Sequence, residues 1–160
     1  MTATKKYYAG IGARVTPDET LRLMSRIAEG LEKKGYILRS GGAKGADSAF
    51  EEGAKRKEIY KAWGDIPRWT HVFTQHFHRA PDKLSHYAKR LMCRNAMQIL
   101  GRDGDTPVDF VVCWTKDGKA SGGTGHALRI AEYFYIPVFN LKNDNALEEL
   151  KDFVNDGGLK

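Results

Sequence analysis

Short apolar runs alternate with amphipathic stretches along almost the whole chain, and this alternation restricts the fold more than any other feature. A strand followed by a helix and then another strand is the pattern of a crossover connection, which joins parallel neighbours in one sheet. "KYYAGIG" (6–12) reads as a strand ending in glycines. The segment 16–35 reads as a helix. Thr16 serves as N-cap, Pro17 takes the first helical position and Glu19 closes a T-x-x-E capping box. Leu21, Met24, Ile27, Ala28 and Leu31 form its apolar stripe, and Gly35 ends it. Further strands are expected over 36–40, 58–63, 108–114 and 136–141, and further helices over 45–56, 82–101, 122–134 and 145–154. The long helix 82–101 turns Leu84, Ala88, Leu91, Met92 and Ile99 inward. Residues 64–81, rich in aromatics and histidine, read as an irregular basic insertion beside the sheet. The expected fold class is α/β. It is a single Rossmann-like domain of 160 residues, with a mostly parallel sheet and helices on both faces.

In such sheets ligands bind beyond the carboxyl ends of the strands. That rim gathers Gly10, Gly12 and Arg14, then Ser40–Asp47, Trp63, Trp114 with Thr115, and Gly122–Gly125. Two of these stretches, "SGGAKGAD" (40–47) and "SGGTGHA" (121–127), share a design suited to phosphate. Glycines leave backbone N–H groups unobstructed, and a helix N-terminus follows with its partial positive charge. Neither contains GK[ST] or GxGxxG, so neither is a Walker loop nor a dinucleotide fingerprint. Gly41, Gly42, Gly45, Gly122, Gly123 and Gly125 are the candidate N–H donors, and Ser40 and Thr124 can add hydroxyls. Arg14, Lys44 and Arg94 would neutralise a bound phosphate, and Trp63 or Trp114 would flank a base. Asp47, one turn into its helix, either caps that helix or reads a sugar hydroxyl or base edge. Glu51 follows at i+4.

The net charge of +6 is concentrated between Arg68 and Arg102, where seven Lys/Arg accompany a single acid, Asp82. The rest of the chain balances. A focused positive field favours an anionic partner. Within this segment Arg90 and Arg94 lie four apart on the long helix, with Lys83 and Tyr87 extending the same face. Asn95 falls on the apolar stripe, where it either pins a loop or meets a ligand. "RWTHVFTQHFHRA" interleaves bases with Trp69, Phe73 and Phe77, which suits either base stacking or packing onto the sheet.

"LRSGGAKGADSAFEEG" resembles the "SGxAxGIDxxAH" segment of the DNA-processing protein A family, recombination mediators that bind single-stranded DNA. "GGTGHALRIA…IPVFNL" is similar to the glycine-rich turn and following strand of the wider SLOG superfamily. That superfamily includes the lonely-guy phosphoribohydrolases and nucleotide-sensing domains of bacterial defence systems. The resemblance runs from about Tyr8 to Leu141 and is closest to short stand-alone proteins common in bacteriophage genomes. It implies a Rossmann-like sheet with nucleotide or nucleic-acid phosphates on the glycine loops. Phosphoribohydrolases carry a catalytic glutamate in "GGxGTxxE". Here "GGTGHALR" places Leu128 and Arg129 near that position, while Arg94 and Asn95 of "MCRNAM" match the arginine-bearing helix. An N-glycosidase would therefore need Asp47, Glu51 or a residue outside the motif as its catalytic carboxylate.

The sequence thus points to a protein that binds a nucleotide-type ligand, either a small nucleotide signal or single-stranded DNA, with an N-glycosidase acting on a nucleotide as the alternative. No cofactor is expected, and no metal. His76 and His78 could group with His71 or His86, but no cysteine or carboxylate falls at zinc spacing. No Ser-His or Cys-His pattern accompanies Cys93 or Cys113. No apolar run approaches the roughly 18 residues of a membrane span, the N-terminus is too short and polar for a signal peptide, and the cysteines suit a reducing compartment. A cytoplasmic location follows as the expectation, in a bacterial host for a phage-encoded member. By analogy with related folds, a homo-oligomer is expected.

Overall fold

A computed structural model of the chain describes residues 4–78 and 80–155. Five strands, β1 (Lys6–Gly10), β2 (Tyr36–Ser40), β3 (Lys57–Ile59), β4 (Phe110–Cys113) and β5 (Val138–Asn140), form one sheet in the order β3-β2-β1-β4-β5. Every neighbouring pair is parallel. The strand order reverses direction between β1 and β4, which opens a crevice at their carboxyl ends. Six α-helices cover the sheet: α1 (Asp18–Lys33), α2 (Ala46–Gly53), α3 (Arg68–Phe77), α4 (His86–Leu100), α5 (Gly125–Tyr133) and α6 (Ala146–Asn155).

The central strands β1, β2 and β4 are buried along most of their length, and alternate residues of the strands serve opposite cores. Tyr8, Leu38, Phe110 and Val112 pack with Met24 and Leu31 of α1, Phe50 of α2 and Leu150 of α6. Ala9, Val111 and Cys113 pack on the other face with Ala96 and Ile99 of α4, Ala127 and Ile130 of α5, and the aromatics of α3.

Three local expectations are corrected. The capping box at 16–19 does not form. Thr16 is buried and its hydroxyl donates to the Ala13 carbonyl at 2.6 Å, closing the preceding turn, so Pro17 is the N-cap and the helix begins at Asp18. The segment 64–81 is not irregular through its length, because α3 occupies its middle. Trp69, Phe73 and Phe77 recur every four residues, which is helical spacing. They face the α4–α5 side of the core, with Thr70 and Thr74 buried beneath. The helix expected over 82–101 starts only at His86. Ser85 caps it, accepting from the Ala88 N–H at 3.1 Å, and Leu84 precedes it.

Gly10 marks the closest approach of β1 to α2. A Cβ there would lie 2.6 Å from Phe50 Cγ and 2.8 Å from Leu38 Cδ1. Gly30, on the exposed side of α1, would place a Cβ in open space. Gly10→Ala is therefore expected to lower stability by about 1–3 kcal/mol through overpacking. Gly30→Ala should raise it by about 0.5–1 kcal/mol through helix propensity. Urea titrations of the two variants check both signs.

Candidate functional site

The crevice at the β1/β4 switch point holds a cavity of about 1000 Å³. Its walls come from the turns that follow β1 (residues 11–15), β2 (Ala43), and β4 (115–117 and 121–124), from Asp47 of α2, and from one face of α4. Tyr87, Leu91, Arg94, Asn95 and Gln98 recur at three- and four-residue intervals and so present one helical stripe to the cavity. The strand ends are zipped together, with the Ile11 N–H donating to Val112 O at 3.1 Å and the Ala13 N–H to Trp114 O at 3.2 Å.

Asp47 lies at the back of this cavity, 3% exposed. Burial raises its carboxyl to about 6, against the opposing pull of Arg94 and of the backbone amides of Ala43, Gly41 and Gly12. The Ala43 N–H donates to Oδ2 at 3.3 Å, and Arg94 Nη1 stands 4.0 Å from the same oxygen. Arg94 also donates to the Gly41 carbonyl at 2.5 Å. Its guanidinium crosses directly over Gly41, where a Cβ would collide with Arg94 and Gln98. Burial lowers the Arg94 pKa from its ordinary value, partly offset by Asp47, and its Nε has no partner among the described residues. Arg14 adds a second positive charge close enough to be felt by Arg94. Lys116 and Asp117 complete the charged lining. Asp117 accepts from the Ser121 hydroxyl at 2.6 Å, which draws residues 117 and 121 together.

The two glycine turns therefore differ in use. In the β2–α2 turn the amides of Gly41 and Ala43 face the protein's own carboxylate, so Asp47 occupies the place an anion would take. Gly42 and Gly45 adopt positive φ (72° and 85°), and a Cβ on Gly45 would meet the Arg14 backbone at 2.8 Å. These glycines let the turn pack tightly. In the β4–α5 turn, Gly122 and Gly123 border the cavity, and an added Cβ would meet nothing within 4 Å at either. Gly122 takes positive φ (64°), a conformation that favours glycine, whereas neither packing nor conformation requires glycine at position 123. No side chain caps α5, although Thr124 stands at its N-cap. Asn95 Nδ2 holds the turn by donating to the Gly123 carbonyl at 3.0 Å, so this buried amide pins the loop and leaves its own oxygen toward the cavity.

Of the residues singled out from sequence, the cavity brings together Gly12, Arg14, Asp47, Arg94, Asn95, Gly122, Gly123 and Thr124. Others lie elsewhere. Ser40 is fully buried and donates to the Gly10 carbonyl at 2.5 Å, stitching β2 to β1. Gly10, Gly41, Gly45 and Gly125 are packing positions, each with a heavy atom within 3 Å of an added Cβ. Lys44 is exposed outside the cavity. Trp114 sits in the apolar core, because it continues the buried face of β4. Glu51, one turn further along α2, does not line the cavity and pairs with Lys57 at 3.2 Å. Arg90 clamps a neighbouring turn through carbonyls. Gln98, Lys116 and Ser121 were missed. The i+4 spacing from Arg94 to Gln98 was the available signal for the first.

A buried imidazole stands behind the glycine turn. His126 is fully enclosed, and neither ring nitrogen has a partner among the described residues. Burial, with Arg129 and His78 nearby, depresses its pKa from 6.5 to about 4. A Cys-His contact that no sequence pattern announces is present. Cys93 Sγ lies 3.4 Å from His71 Nδ1 and 3.4 Å from Thr74 Oγ1, a contact that folding creates across 22 residues. The sulfur is buried between α3 and α4, away from the cavity. No group of three or more potential metal ligands occurs among the described residues, and none of their helices is long and apolar enough to cross a membrane.

A parallel sheet of this order, with a polar cavity where the order reverses, defines a Rossmann-like α/β protein. Over 98% of its length the chain is similar in fold to DNA processing protein A from Helicobacter pylori, whose single-stranded DNA binding mode has been described structurally. The TM-score is 0.55 at 18% identity, and the match covers 75% of that chain. The similarity establishes a shared fold. No protein-family model matches the chain, and neither does any curated protein sequence.

Asp47 and His126 give opposite pH dependences. Asp47 holds its proton more tightly when folded, so its contribution falls as pH rises from about 4 to 6. His126 binds its proton less tightly when folded, so its contribution is lost as pH falls from 6.5 toward 4. Each is worth about 3 kcal/mol at full extent. Measured relative to the parent protein, the stability of Asp47→Asn should rise, and that of His126→Leu should fall, as pH increases from 4 to 7. Chemical denaturation at half-unit pH steps tests this. Curves parallel to the parent's would show that neither group is perturbed.

Proposed function

We propose that the chain binds a nucleotide-type ligand in the β1/β4 cavity, with a phosphate on the β4–α5 turn. The observation that carries this reading is the open face of Gly122 and Gly123. Gly122 takes positive φ (64°), which favours glycine, but Gly123 has neither that conformation nor a close neighbour to require it, and both precede a helix N-terminus that no side chain caps and whose partial positive charge favours an anion. Arg14 and Lys116 border the same space and supply the neutralising charge. Arg94, buried with Asp47 as its nearest carboxylate, is better placed to meet a polar group deeper in the cavity. The side-chain oxygen of Asn95 and the amide of Gln98, both in the cavity wall, offer a base or sugar a donor and acceptor set.

The structural neighbour's single-stranded DNA binding supports a nucleic-acid form of this ligand. The N-glycosidase alternative finds less support. Asp47 is engaged by backbone amides from three directions, and Glu51 is paired with Lys57 outside the cavity.

Gly123→Asp introduces a carboxylate into open space, so the fold should be retained while a bound phosphate is repelled. The parent protein, at ligand concentrations 100 times the dissociation constant, should gain about 2.7 kcal/mol of stability from a nucleotide or a short oligodeoxythymidylate. The variant should unfold at nearly the parent's temperature without ligand and gain nothing with it. Equal ligand-induced shifts in parent and variant would place the phosphate elsewhere.

A further inference from the structure

At the mouth of the cavity lies an aromatic shelf that the site described so far does not use. Trp63 is 65% exposed, a large apolar surface to leave in water. It is nevertheless held in place. Arg90 donates to the carbonyls on both sides of it, Nε to Ala62 O at 2.6 Å and Nη2 to Gly64 O at 2.7 Å. The Gly64 N–H closes the turn on Lys61 O at 3.0 Å. The Arg90 guanidinium lies 5.0 Å from the centre of the indole. Tyr87 stacks beside it, with ring centres 5.5 Å apart and planes 28° from parallel.

Two features connect this shelf to the cavity. Tyr87 is itself a cavity wall, so the stacked pair begins inside the site and ends outside it. The surroundings are also cationic. Arg90 bonds to neutral carbonyls and makes no ion pair among the described residues, so its charge is uncompensated. The Lys61 side chain runs along Gly42, within 3.3 Å of where a Cβ would be. The nearby Asp65 is already paired with Arg102.

We infer that Trp63 and Tyr87 form a second subsite, which stacks the base next to the nucleotide held in the cavity. The ligand is then a single-stranded oligonucleotide of at least two residues, whose backbone leaves the cavity past Tyr87 under the field of Arg90 and Lys61. This rests on the nucleotide reading of the cavity and adds a statement about ligand length. A rigid, exposed indole beside a cation suits a base because every base has a π-face, and stacking of this kind tolerates any sequence.

The experiment is calorimetric titration of the parent protein, Trp63→Ala and Trp63→Phe with thymidine monophosphate and with oligodeoxythymidylates of two and four residues. In the parent, affinity should rise about 5- to 150-fold from the monomer to the dinucleotide, the range expected for one stacked base. Trp63→Ala should remove that gain and leave monophosphate affinity unchanged, which also shows that the variant is folded. Trp63→Phe should keep most of the gain. A gain with length that survives in Trp63→Ala would overturn the subsite, as would a parent that binds monomer and oligomer equally. In both of those outcomes the nucleotide reading of the cavity stands. Absence of binding by every ligand would overturn that reading and the subsite together.

Discussion

The carboxylate of Asp47 is the point on which the candidate site turns. It gathers backbone amides from the β1–α1 and β2–α2 turns and faces Arg94 from α4, so three separately folded segments meet at one buried charge. Burying that charge is unfavourable, as its raised pKa records. The segments it joins are held at the strand ends in return. Arg94 answers the charge and crosses above Gly41, which fixes α4 against the turn. Remove the carboxylate and a guanidinium with an unpartnered Nε is left buried without its nearest counter-charge. The cavity is thus shaped by an internal ion pair between Asp47 and Arg94.

The fold could be read from the sequence to the extent that one physical signal dominated each segment. The apolar strands and the amphipathic α1 were legible because burial on one face decides both. Reading failed where two signals competed. Thr16 satisfied the rule for an N-cap, yet its hydroxyl closed the turn before it, because a buried side chain takes the nearest acceptor. The aromatics of α3 suited either base stacking or packing onto the sheet, and they pack, but their four-residue period was not used to place a helix. That period was the stronger signal, since it is the one burial enforces.

The site divides in the same way. Residues at strand ends were found because the topology places them there whatever their role, and Gly12, Arg14, Asp47, Gly122 and Gly123 line the cavity together. Their individual duties were not legible. Ser40 and Trp114 occupy the correct rim in sequence but point into the sheet, since side chains alternate across a strand and a shift of one residue reverses the face. Arg90 and Arg94 looked equivalent at i+4. One meets carbonyls of the 62–64 turn, and the other meets a carboxylate and Gly41. The contact of Cys93 with His71 spans α3 and α4 and has no sequence signature at all.

The two glycine turns carry this lesson furthest, because they have the same composition and opposite use. "SGGAKG" is followed by an aspartate that folds back on the turn's own amides, and its glycines serve close packing: Gly41 under Arg94 and Gln98, and Gly45 against the Arg14 backbone. "SGGTG" is followed by a histidine that buries itself behind the turn without a hydrogen bond and offers the amides nothing. A glycine-rich turn at a helix N-terminus is therefore an anion site by default only when the chain does not supply the anion. The residue two places after the last glycine decides the first case, and the residue directly after it decides the second. In this protein Ala43 and Asp47 bring the β2–α2 turn to the cavity wall, and the β4–α5 turn borders the cavity at a helix N-terminus that no side chain caps.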